Sequence, residues 1–371
     1  MESDEKPARR RDIDRLRVLA CISTFCYHPL TVFDLGAVSH IKSGTTSAAF
    51  DIASRLLHTV RMPLFFLIAG IVGFLSLRRW TNRHIIAQRA KRLLLPFLFG
   101  VVLIAPVIKY FEILDGRNIS WQGAVAMTGP PPEPLVFLRR FFTQARWFSW
   151  SHLWFLAYLF VLGCALLPVM RRLDRARWPA SIPVALGPLA ILGLLIAVEL
   201  VLRPVFPLHI PNLIWDWANV AVYLICLVSG AALVRFPSLE ALLQRWWPAI
   251  AVLACLSLNV HAAVASGWVG GVSRALSLWS VLCLLIGLGP WLSGLRIFGE
   301  HYLAEAVLPL YVLHLLPLVV IAYYVKDLDW PIWLRYIVMV AGGFTVTLVI
   351  YHYLVRPFRV ARLALGLSPR T

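Results

Sequence analysis

The stretch "DRLRVLACISTFCYHPL", residues 14–30, places Arg17 and His28 among residues apolar enough to cross a bilayer. Ionisable groups there are costly, so their presence asks for a chemical reason. Eleven residues separate the two, a helical rise of about 16 Å and close to three turns, so both project from one face in opposite halves of the membrane. One cavity could see both: a guanidinium for an anion near the inner surface, and an imidazole for proton transfer deeper in. The plainer alternative has Arg17 snorkelling to the inner interface and His28 bonded to a neighbouring helix.

Further groups follow at intervals. "LLHTVRMPLFFLIAG" carries His58 and Arg61, and "QRAKRLLLPF" carries Arg89, Lys91 and Arg92 just ahead of a third apolar run. Arg89 and Arg92 are three apart and share a helical face, which suits a phosphate; a topology-setting basic loop is the alternative. "SHLWFL" opens a fourth run with His152, and "HYLAEAVLPLYVLH" holds Glu305 and His314. Those two are nine apart and half a turn out of phase, so Glu305 is expected to pair with a buried base rather than with His314. Asp14 either orients Arg17 or Arg15 or stabilises the helix start.

The elements that must position these groups are membrane helices. Of 371 residues 60% are hydrophobic and 14% charged, with mean hydropathy +0.77, more apolar surface than a soluble domain can hide. About ten runs reach membrane-crossing length, near residues 16–33, 59–77, 93–111, 150–169, 180–202, 216–234, 247–265, 273–292, 302–324 and 331–354. Most Lys and Arg fall on one side of this map, at 9–11, 78–92, 171–177 and 356–370, so both termini are placed in the cytoplasm. The net charge of +17 then belongs to loops beside anionic lipid and calls for no nucleic acid. The result is an all-α polytopic bundle: one transmembrane domain over 16–355, between basic tails 1–15 and 356–371. The N-terminal segment does not read as a cleaved signal peptide. The longest interruption, 112–149, either caps the bundle or lies as an interfacial loop rich in Trp and Phe. Six cysteines lie within the apolar runs without CxxC spacing, and no HExxH or P-loop pattern occurs; neither a metal site nor a nucleotide-hydrolysis site is expected.

Together, Arg17 and His28, "RMPLFFLIAG", "QRAKRLLLP", "SHLWFL" and "YVLH" resemble the acyltransferase type 3 family of membrane proteins in order and spacing, and most closely its glucan-succinylating subgroup. The resemblance covers residues 11–360. It implies O-acylation: an acyl group, succinyl or acetyl, moves from a cytoplasmic acyl-CoA to a hydroxyl of a glycan or similar acceptor at the outer side of a bacterial inner membrane. The donor is a substrate, and no permanently bound cofactor is implied. The family's essential His and Arg map onto His28 and Arg17, and its basic motif onto Arg89 and Arg92. The family often has Ser before the Gly of the second-run motif, where this chain has Ala69 and Gly70, so that hydroxyl is missing. On this reading Arg17, Arg89 and Arg92 hold the donor phosphates. His28 is the general base or, alternatively, carries the acyl group transiently; Arg61 stabilises the oxyanion, and Glu305 completes the catalytic set. His58, His152 and His314 position the acceptor. Two other classes remain open: an organic-anion transporter using the same basic cavity, and a membrane scaffold, which leaves Arg17 and His28 unexplained.

Overall fold

The computed structural model describes residues 10–36, 38–77, 79–120, 123–127, 129–179, 181–207, 211–264, 266–296 and 299–368. The expected basic residues Arg9, Arg78 and Arg370 lie outside that set. Among the described residues seven continuous helices are long and apolar enough to cross a membrane: Arg11–Phe33, Ala48–Leu77, Asn82–Leu114, Trp217–Arg235, Pro237–Ala263, Gly267–Gly287 and Ile332–Val355. Two bent pairs, Ser151–Ala165 with Leu167–Arg175 and Glu300–Leu313 with Leu315–Val325, bring the number to nine. The shorter apolar helix Leu186–Leu202 occupies the place of the expected fifth span. The fold is an all-α polytopic bundle, and the helices are numbered below as spans one to ten in chain order.

The bends have a local cause. Pro317 lacks an N–H and its ring crowds the carbonyl of Leu313, and the ninth span turns by 56° there, at His314. Pro168 does the same to the fourth span, which turns by 49° at Leu166. The third span begins at Asn82, earlier than expected, so Arg89 and Arg92 sit on the helix itself rather than in a loop before it. It widens into π-helical turns over Ala90–Leu94 and Gly100–Ile104, a local unwinding frequent at functional positions.

The second span is central, with 72% of its apolar window enclosed, against 17% for the seventh, which faces outward. Its partner is the sixth span. A methyl group at Gly70 would collide with the Leu227 carbonyl, and one at Gly230 with that of Leu67, so the two backbones touch through glycines, the usual device for close helix packing in lipid.

The 112–149 segment folds back onto the end of the third span. Strands β1 (Arg117–Ser120) and β2 (Gly123–Ala126) pair antiparallel, and Phe137, Phe141 and Trp147 bury themselves against Ala105 and Ile113. The segment thus packs part of its apolar surface on the bundle, while Leu135, Phe142 and Phe148 stay exposed. At the other end of the bundle, Arg17 near the start of the first span and residues Arg362 to Ser368 near the C-terminus line one chamber. Both ends of the described chain therefore lie on one side.

Candidate active site: two chambers meeting at Tyr311

The expectation of one cavity seen by both Arg17 and His28 is not met. Arg17 lines an inner chamber of about 830 Å³, and His28 lines an outer chamber of about 850 Å³. Tyr311 faces both. Its ring packs against Phe155 at 5.3 Å and Phe65 at 6.2 Å, and those two rings lie 5.3 Å apart. The three aromatics form the wall between the chambers. The helical phase of Arg17 and His28 holds; what the sequence could not indicate is that other spans insert rings at a height between them.

The inner chamber is cationic. Arg17 lies 3.6 Å from Asp14, an acid that also stands in the first turn of its helix, while Arg15 is buried and tied to Glu300 at 2.7 Å as a structural bridge. The Arg89 guanidinium lies between two glycines: an added Cβ would fall 2.6 Å from its Nη2 at Gly73 and 2.7 Å from its Nη1 at Gly163. Its Nη1 has no hydrogen-bond partner. Arg92 lines the same chamber from the next turn, and Ala69 forms part of the wall. Glu305 is here too, 2.7 Å from Arg362. It does pair with a base, as expected, but it stands on the arginine side of the aromatic wall, one and a half turns or more below Tyr311, and its carboxylate ties the C-terminal helix Arg359–Ala364 across the chamber. That placement puts it at the inner chamber and not beside His28.

The outer chamber is lined by imidazoles. His28, His58, His152 and Arg61 all border it. His314 lies directly behind, with its ring 5.2 Å from that of His28 and 4.9 Å from that of His152. The bend at His314 exposes backbone carbonyls that fix the rings. His314 Nδ1 donates to the Tyr311 carbonyl at 2.6 Å, and His152 Nε2 donates to that of Val312 at 3.0 Å. A carbonyl can only accept, so His314 Nδ1 and His152 Nε2 are the donors, and the opposite nitrogens, His314 Nε2 and His152 Nδ1, are buried without hydrogen-bond partners. The Tyr311 hydroxyl donates to the His152 carbonyl at 2.5 Å, which locks the partition to the imidazole cluster.

Arg61 is buried, 3.8 Å above the Tyr27 ring, with its Nε lacking a partner. Tyr27 in turn stacks on His58 at 5.5 Å. Among the described residues no carboxylate pairs with Arg61. The buried guanidinium is instead met by the π face of Tyr27. Tyr27 and Tyr311 escaped the sequence reading, although each stands within three residues of a singled-out histidine. Tyrosine in an apolar helix is too common to signal by itself.

A family model for the acyltransferase domain matches residues 10–352. The chain is also 24% identical over 331 residues to Glucans biosynthesis protein C of Escherichia coli strain SMS-3-5 / SECEC, covering 83% of this chain and 82% of that protein. The same protein of strain K12 matches to the same extent. The chain belongs to this acyltransferase family: it is an integral membrane enzyme that transfers acyl groups.

Proposed function

We propose that the protein is an O-acyltransferase that takes the acyl group of a cytoplasmic acyl-CoA and places it on a hydroxyl of a glycan at the outer face of a bacterial inner membrane. The observation that carries this is the pairing of an arginine-lined chamber with a histidine-lined one across an aromatic wall in which Tyr311 faces both. A nucleotide-bearing thioester is anionic at one end and reactive at the other, and it suits that division.

Arg17, Arg89 and Arg92 bind the donor's phosphates by charge-assisted hydrogen bonds. The donor's long arm passes the Tyr311 wall and presents the thioester carbonyl between His28 and Arg61. The acceptor hydroxyl enters from the outer chamber, where His58 and His152 border its path. His28 takes the hydroxyl proton as the oxygen attacks the carbonyl carbon. Negative charge collects on the carbonyl oxygen beside Arg61. As the intermediate collapses, the carbon–sulfur bond breaks and the proton passes to the leaving thiolate. His314 backs His28 and keeps its ring in place through the contact at 5.2 Å. The name of the relatives ties them to glucan biosynthesis; this chain's acceptor is proposed by that likeness, with succinyl and acetyl groups as the candidate cargo.

The test is thiol release from succinyl-CoA and acetyl-CoA by the purified protein in nanodiscs, with and without a glucan acceptor. Release should depend on His28. Folded protein that releases no thiol from either donor in the presence of acceptor would overturn the reading.

A further inference from the structure

The outer chamber holds a second constellation that the scheme above leaves unused. Ser151 and His40 both line it, and the Ser151 hydroxyl lies 3.3 Å from His40 Nε2. His40 Nδ1 lies 2.6 Å from Oε2 of Glu112, a carboxylate with no solvent exposure. The other Glu112 oxygen accepts from the Ile119 N–H at 2.5 Å and from Lys109 Nζ. Because the carboxylate accepts the Nδ1 proton, Nε2 turns a lone pair toward the serine. This is the order of a nucleophile, its base and the acid that orients the base.

The backbone adds an independent observation. Ser151 has φ +49°, the left-handed region that non-glycine residues rarely adopt and that costs about 1 kcal/mol or more. The strain places the hydroxyl at the head of the fourth span, with the Ser151 N–H held by the Ser149 hydroxyl at 3.0 Å. A purely structural staple explains this poorly. Glu112 is already neutralised by Lys109 and bonded by the Ile119 N–H, so it does not need His40, and His40 does not need a strained serine.

Resting on the acyl-transfer reading, we infer that Ser151 is a nucleophile that carries the acyl group as an ester between donor and acceptor. The Ser151 oxygen attacks the thioester carbonyl while its proton passes to His40 Nε2. The carbon–sulfur bond breaks, and the thiolate leaves with the proton from His40. The acceptor hydroxyl then attacks the serine ester and gives its proton to His28. The acyl–oxygen bond to Ser151 breaks, and the serine oxygen regains its proton from His28, directly or relayed through His40, returning both to their starting state. Two transfers replace one, and the donor can leave before the bulky acceptor arrives.

The experiment uses the full-length protein in nanodiscs and two probes. A fluorophosphonate should label Ser151, located by peptide mass mapping. Incubation with the acyl-CoA alone should leave an acyl mass on the same peptide that hydroxylamine removes. Ser151→Gly, which suits the left-handed backbone and so keeps the fold, should abolish both adducts. His40→Ala should slow labelling by about a hundredfold or more, while His28→Ala should still be labelled and should accumulate the acyl adduct. Absence of both adducts in folded wild-type protein, or Ser151→Gly transferring at the wild-type rate, overturns the inference. Histidine-dependent thiol release that survives Ser151→Gly would leave the acyl-transfer reading standing and the relay refuted. Fluorophosphonate labelling without thiol release from any acyl-CoA would keep the nucleophile and refute the donor.

Discussion

The inner and outer chambers are nearly equal in size, about 830 and 850 Å³, yet they are built on opposite principles. The inner one gathers permanent charge, and each arginine keeps some counter-charge or solvent: Arg17 leans on Asp14, and Arg362 holds Glu305. The outer one gathers imidazoles pinned by the carbonyls of a broken helix, with one buried guanidinium resting on a tyrosine ring. On the proposed scheme the contrast separates binding from reaction. Charge that only holds a ligand can face water, whereas charge that appears in a transition state is best met in a dry site.

That division can be broken most sharply at His28. His28→Ala should lower the turnover of thiol release by roughly a hundredfold to ten-thousandfold while leaving acyl-CoA affinity, measured by calorimetry, within twofold. A large loss of affinity would merge the two chambers into one function. Arg89→Ala should do the reverse, weakening donor binding by about ten- to a hundredfold, the value of a hydrogen bond between charged groups, with a smaller effect on turnover at saturation. Gly73→Ala sharpens the point without removing any charge. Its methyl would meet the Arg89 guanidinium at 2.6 Å, so donor binding should fall by about tenfold, the scale of one displaced charge-assisted bond, with the unfolding temperature little changed. The smallest effect is expected at Glu305. Glu305→Gln removes its ion pair with Arg362, in which the arginine is buried and the acid largely enclosed, so the cost should fall on stability and turnover should change by less than about tenfold. A thousandfold loss would restore Glu305 to the catalytic set.

The sequence made some of this legible and some not. Span positions followed from uninterrupted apolar length, which needs only local chemistry, and each expected run has its helix, the fifth in the short Leu186–Leu202. Arg89 and Arg92 do share one chamber, but on a helix where a loop is expected, because positive charge before an apolar run marks a membrane boundary whether or not the backbone is helical there. His28, His58, Arg61, His152 and His314 were singled out as costly intramembrane groups, and all five converge on or directly behind the outer chamber. Glu305 drew the same inference from the same cost, yet it sits across the wall. Depth along a helix sets height, and which neighbours arrive at that height is not written locally. His40, Glu112 and Ser151 gave no signal at all, since each lies in or next to a connecting segment where polar residues are ordinary.

The amino-acid sequence by itself determined that this is a polytopic helical membrane protein, which side its charges favour, and which side chains are too expensive to be there without purpose. Those properties depend on length, hydropathy and periodicity along one chain. Only the tertiary structure decided that the arginines and histidines face separate chambers, that Tyr311 stands between them, and that Ser151, His40 and Glu112 meet. Such meetings depend on spans one, three, four and nine packing together, and the glycine contacts and proline bends that set their approach act between helices, beyond the reach of any local pattern.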